Sequence, residues 1–221
     1  MKFNTESPFF QFLNTLSSFI ALNVVFLITC LPIFTIGPSL CALYDVTMRE
    51  ARGEYGYLIK PYFKAFRQNF KKGTLLFLIL AALGMILLFN ITFWSQLGTT
   101  MATVITFVLA LAVGAYLLVL LYAFALMARF ENSLRQTMSN AFHLAVLHWK
   151  QTVPLLLILA VAVAACMFIP QAKIFMLLLG FSFIAYCESF FFIKVFKNYE
   201  PEEEDESNPL LEAMKKTAQN G

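Results

Sequence analysis

LPIFTIGPSLCALYDVTMREARGEYGYLIKPYFKAFRQNFKK, residues Leu31 to Lys72, is the stretch that decides how this chain is read. It opens on the end of an apolar run broken by Pro32 and by Gly37-Pro38. It closes on a basic, phenylalanine-rich segment that leads directly into another apolar run. Seven Lys/Arg lie inside it: Arg49, Arg52, Lys60, Lys64, Arg67, Lys71 and Lys72. Positive charge in a loop between apolar runs marks the cytoplasmic side of a membrane. The topology is therefore counted outward from this loop.

Composition agrees. The chain has 221 residues, 60% of them hydrophobic and 13% charged, where a soluble domain carries about 25% charged residues. Basic residues gather in the loops, and most acidic residues lie in the last 22 positions. Nucleic-acid binding needs a basic face on a water-soluble surface, which this chain lacks. The four cysteines, Cys30, Cys41, Cys166 and Cys187, form no CxxC pair and read as small buried hydrophobes. The start, MKFNTESPFFQF, lacks the positive region and cleavage site of a signal peptide. Phe3, Phe9, Phe10 and Phe12 instead suit a headgroup boundary.

No Asp, Glu, Lys or Arg occurs from Ser7 to Tyr44, and the first span is placed at 15–36, ended by Gly37-Pro38. Leu40 to Ala51 reads as a short helix on exit from the bilayer, and RGEYGY as a break. Gly73 to Ala128 is a run of 56 uncharged residues, about right for two spans of roughly 20 residues each. These are placed at 74–94 and 101–127, with the turn at Ser95–Thr100 beside Trp94. Ala110 and Gly114 have the small-xxx-small spacing of close helix packing. The last spans fall at 152–169 and 173–193, separated by Pro170-Gln171-Ala172. Residues 1–199 thus form one membrane domain and 200–221 an acidic cytoplasmic tail, too charged around Glu200–Glu206 to pack.

The loops carry seven, zero, three and one Lys/Arg in order. That alternation predicts an all-α polytopic protein of the plasma membrane with five transmembrane helices, the N-terminus outside and the C-terminus cytoplasmic. Two amphipathic helices would lie on the cytoplasmic interface. In the first, Ile59, Tyr62, Phe63, Phe66 and Phe70 form an apolar stripe, and Lys60, Lys64, Arg67 and Lys71 a basic one beside it. Such a helix contacts either anionic headgroups, with its rings toward acyl chains, or a partner protein. In the second, Leu134, Met138, Ala141, Phe142, Ala145 and Trp149 share a face. Helix-then-hairpin occurs twice, a weak internal repeat.

Glu188 is the one acidic residue well inside a span. An intramembrane carboxylate is a candidate functional site; the structural reading is a group near the inner interface paired with a basic or polar neighbour. His143 and His148 are five apart, which is not the spacing of a metal pair. Asp45 could cap a helix or pair with Arg49. Asn90, Gln96 and Gln171 read as polar glue between helices. No P-loop, GxSxG or HExxH motif is present, so neither an enzymatic role, a cofactor nor a metal is expected.

Leu31–Pro38 with Ala42-Leu43-Tyr44, and Arg52–Tyr57 leading to Phe63–Lys71, resemble the YesL-like family of bacterial integral membrane proteins, a family of unknown function. Ala128–Asn132 and Asn140-Ala141-Phe142 fit the same pattern. The resemblance covers nearly the whole chain to about Tyr199 and implies a Gram-positive bacterial host and a role in carbohydrate uptake or its regulation. Family members tend to be encoded beside sugar-importing ABC transporters and polysaccharide-degrading enzymes. No family residue roles carry over. Three readings follow: an accessory subunit or regulator of a carbohydrate ABC importer contacting its permease or ATPase, a small carrier or channel acting as a homo-oligomer, and a scaffold or signalling partner acting through the tail.

Overall fold

The computed structural model describes residues 8–54 and 56–199, with side chains from Leu13 onward. The acidic tail and Phe3 lie outside the described residues, and Phe9, Phe10 and Phe12 fall in the first helix. Helix α1 spans Pro8–Cys30, and a 3-10 turn at Ile33–Thr35 leads into α2, Ile36–Ala51. Then come α3, Ile59–Ser95, α4, Thr100–Arg129, α5, Leu134–Leu147, and α6, Trp149–Phe168. The last span is built from α7, Pro170–Phe175, a π-helical segment at Met176–Gly180, and α8, Phe181–Phe196. Five helical stretches are long and apolar enough to cross a bilayer, as the sequence predicts, and α2 and α5 are two shorter helices.

The boundaries differ from expectation in instructive places. The first span ends at Cys30, not at residue 36, because Pro32 cannot continue it. Gly37-Pro38 does not stop a helix but lies in the first turn of α2, where a missing N–H costs nothing. Pro170 likewise opens a helix instead of making a turn. The basic segment from Ile59 to Lys72 is not a separate helix: it continues into the second span as α3, 37 residues or about 55 Å along the axis. Nothing interrupts it, since Gly73 costs a helix only about 1 kcal/mol.

Gly73 has a structural use. A Cβ on Gly37 would lie 2.7 Å from the Phe77 Cβ and 2.8 Å from the Gly73 carbonyl carbon. One on Gly73 would lie 2.9 Å from the Pro38 nitrogen. The backbones of α2 and α3 therefore touch at this crossing, as small residues permit. The expected close-packing pair, Ala110 and Gly114, does not pack: both are exposed, and a Cβ on Gly114 would meet nothing within 4 Å.

α2 is the hub. Cys41, Met48, Leu76, Tyr122, Leu126 and Phe192 share one core, uniting α2, α3, α4 and α8. Phe19, Leu22, Leu43, Val46, Tyr62 and Ala65 share a second, uniting α1, α2 and α3. α4 is buried all round from Leu121 to Met127, whereas Val104, Phe107, Val108 and Leu111 are exposed, as lipid contact allows.

The corner between α1 and α2 is apolar and outward: Leu31, Ile33 and Phe34 are all exposed. Its carbonyls are satisfied internally. The Thr35 hydroxyl donates to Thr29 O and Pro32 O, each at 2.6 Å, and Ser39 donates to Thr35 O at 2.8 Å. Thr29 and the Tyr62 hydroxyl share a 2.6 Å bond. Irregular backbone at membrane depth needs such partners, because lipid supplies none.

Candidate functional sites: a basic face and a buried carboxyl

The amino-terminal part of α3 turns its two sides to different surroundings. Tyr62 and Ala65 face the core and fix the helix. Lys60, Lys64, Arg67, Lys71 and Lys72 are exposed. Phe63 is 48% exposed and Phe70 38%, while Phe66 is half-buried, between Tyr62 and Phe70 in a chain of ring contacts. Among the described residues the salt bridges lie elsewhere: Glu54 splits its carboxylate between Arg49 at 3.0 Å and Arg52 at 2.9 Å. That clamp orders the α2–α3 loop more than it stabilises it, since exposed pairs contribute about 0–1 kcal/mol.

Beside the basic stripe lies a cleft of about 770 Å³ between α3 and the α4–α5 loop, lined by Arg67, Lys71, Lys72, Arg129 and Glu131. Phe130 on its rim meets Phe196 edge-on at 5.4 Å, and His148 accepts or donates to the Tyr199 hydroxyl at 3.1 Å. The ends of α4 and α8 and the start of α6 thus meet at one charged face. α5 caps that face. Its capping box, Ser133 with Gln136, starts the helix, and Thr137, Ala141, Leu144 and Ala145 anchor it. Of the residues expected to share one face of this helix, Phe142 is exposed, and Trp149 lies beyond α5 as the exposed first residue of α6. His143 bonds Ser139 O at 2.8 Å, and the described residues hold no metal-binding cluster.

Asp45 is not a cap. Burial pushes its carboxyl above the usual range, against the opposing pull of Arg49, Arg52 and Arg129. Burial raises Glu50 as well.

Glu188 is fully buried in α8. It is not paired with Lys194; its Oε2 accepts from the Tyr44 hydroxyl at 2.6 Å, and its Oε1 has no hydrogen-bond partner. Next to it, Ser189 donates to Thr47 Oγ1 at 2.9 Å and Ala185 O at 2.7 Å. This is the polar-neighbour reading of Glu188, with Tyr44 as a partner that sequence spacing could not reveal. Asn23 was missed altogether. Its amide donates to Met176 O and Leu177 O at 3.2 and 2.8 Å, and its Oδ1 accepts from Ser182 N at 3.0 Å. It thereby holds the π-helical segment, whose widened turns free backbone groups. An uncharged residue in an apolar run gives little signal; a lone Asn in a span was the clue available.

These features define a polytopic, all-helical membrane protein with one charged face and a buried polar cluster among its helices. The family model described as "Protein of unknown function, DUF624" matches residues 19–91, from α1 into the outer part of α3. That match, over about a third of the chain, supports its assignment to the YesL-like family. No curated protein and no solved structure matches.

Proposed function

We propose that this chain is an accessory subunit or regulator of a carbohydrate (oligosaccharide) ABC importer, docking on its permease or ATPase through the basic and aromatic face of α3. The observation that carries the docking is the exposure of Lys60, Lys64, Arg67 and Lys71 beside Phe63 and Phe70 on a helix locked by Tyr62 and Ala65. Rigid aromatic anchors among basic groups suit a protein surface with acidic rims. The carbohydrate link rests on the family resemblance.

The positive-inside rule sets this face in the cytoplasm. The sequence count puts the amino end of α1 outside. The packing favours the opposite: Asn14, Thr15 and Ser18 share a crevice with Glu50 and Gly56–Leu58, at the basic end of α2 and α3. α2 runs back along α1, from Ser39 beside Thr29 to Glu50 beside Ser18. In the proposed orientation α1 and α2 enter and leave the bilayer together as a re-entrant pair, α3, α4, α6 and the α7–α8 span make the full crossings, and the start of α1 and the end of α8 both face the cytoplasm.

The test is recovery of importer subunits with the tagged chain from a bacterial host in mild detergent. Permease or ATPase subunits should accompany the native chain and be lost with a Lys60→Glu, Lys64→Glu, Arg67→Glu triple variant. Recovery unchanged by the variant, or absent from the native chain, overturns the reading.

A further inference from the structure

α6 leaves the bundle soon after it starts. Thr152 and Leu155 are its buried residues, both in the first two turns and flanking Pro154. Beyond them two crevices open between α6 and the rest, of about 720 and 740 Å³. Leu40, Tyr44, Leu159, Val163 and Met167 line both. The walls are almost wholly apolar. In the second crevice Glu188 supplies the carboxyl beside the Tyr44 hydroxyl, and Lys173 stands at the far end, about 22 Å up the same span.

The Glu188 carboxyl is half satisfied. Tyr44 has one hydroxyl hydrogen, and it is engaged at Oε2. Ser189 is occupied by Thr47 and Ala185. Glu188 belongs to the crevice wall, and its buried Oε1 is left without a partner. An unsatisfied buried polar atom is costly, and more so where lipid replaces water. A single water needs two to four polar partners, and the apolar walls offer too few. A metal ion needs a ligand cluster, which the described residues do not form. A second copy of the chain is kept from this slot by α6, which forms its outer wall.

We propose that the slot between α6 and α2/α8 binds one lipid-soluble amphiphile, whose hydrogen-bond-donating head, a hydroxyl or a protonated amine, donates to Glu188 Oε1. Its chain lies along Phe26, Leu43, Leu159 and Met167. Tyr44 fixes the carboxyl so that Oε1 is the free acceptor. The site is independent of the docking face.

The experiment uses the full chain purified in detergent and three probes of equal length: hexadecan-1-ol, hexadecylamine and hexadecane. The unfolding midpoint should rise saturably with the alcohol, the amine or both, and not with the alkane; the active head identifies the donor. The rise should disappear in Glu188→Leu. It should also disappear in Ala162→Trp, which fills the slot from α6 without touching the carboxyl. Equal shifts with all three probes, no shift with any, or a shift that survives Ala162→Trp overturns the proposal.

Discussion

Gly37→Ala places one methyl group at the α2–α3 crossing. The new Cβ would lie 2.7 Å from the Phe77 Cβ, where ordinary contact starts at 3.4 Å, so the helices must part by at least 0.7 Å (3.4 − 2.7). The Gly73 carbonyl, which is backbone and cannot rotate away, demands more. A gap of about 0.5–1 Å forfeits a quarter to a half of each dispersion well, along a seam that includes Cys41, Ala42, Ala65 and Leu76. Overpacking of this kind costs about 1–3 kcal/mol, and the backbone clash sets the expectation near ~3 kcal/mol. Better helix propensity returns up to about 1 kcal/mol, leaving a net loss of roughly 2 kcal/mol. Two controls calibrate it. Gly84→Ala meets the Tyr116 hydroxyl at 2.6 Å, a side-chain tip that can swing away at the expense of its 3.0 Å bond to Leu80 O, about 1 kcal/mol. Gly114→Ala meets nothing and should be neutral or slightly stabilised. Unfolding in detergent, followed by thiol labelling of the fully buried Cys41, should rank Gly37→Ala least stable, Gly84→Ala next and Gly114→Ala last. A Gly37→Ala chain as stable as Gly114→Ala refutes the crossing.

Asn23→Leu strands Met176 O, Leu177 O and Ser182 N, at about 1–3 kcal/mol for each group left unpaired; the same labelling assay should show a loss larger than that of Gly37→Ala. For Thr47→Ala and Ser189→Ala, a double-mutant cycle should return a coupling of about 0.5–1.5 kcal/mol from their buried 2.9 Å bond, and additive losses would contradict it. Asp45 and Glu50 have raised folded-state pKa values, so the stability tied to their protonated forms is complete below their unfolded values and is lost as pH rises through the folded ones. The unfolding midpoint should therefore fall as pH is raised across the carboxylate range toward neutrality, and Asp45→Asn should flatten the curve. An unchanged slope in Asp45→Asn would assign the dependence elsewhere.

The spans were legible because hydrocarbon imposes a coarse rule: long apolar runs stay in it, and Lys and Arg hold the loops outside. The basic stripe of α3 was legible for the same reason, since Lys60, Lys64, Arg67 and Lys71 repeat at helical spacing. What could not be read was how the helices meet. Gly37-Pro38 looks like a stop in any local window; only the touching Gly73 backbone gives the glycine its use. Tyr44 and Glu188 are 144 residues apart, and nothing local links them. Ala110 and Gly114 carry a packing pattern that no neighbour uses. Helix α2 was underestimated because Asp45, Arg49 and Glu50 make it look like a surface element, although neighbouring helices rather than lipid surround it.

The proposed orientation puts the uncharged start of α1, the basic loop between α2 and α3 and the end of α8 on one side of the bilayer. It is tested by replacing Cys30, Cys41, Cys166 and Cys187, then introducing Asn14→Cys, Gln96→Cys or Asn198→Cys singly and treating intact cells with a membrane-impermeant maleimide. Labelling at position 96 with protection at 14 and 198 is the predicted result. Labelling at position 14 to the same extent as at 96 would put the start of α1 on the opposite side from the basic loop and contradict the account.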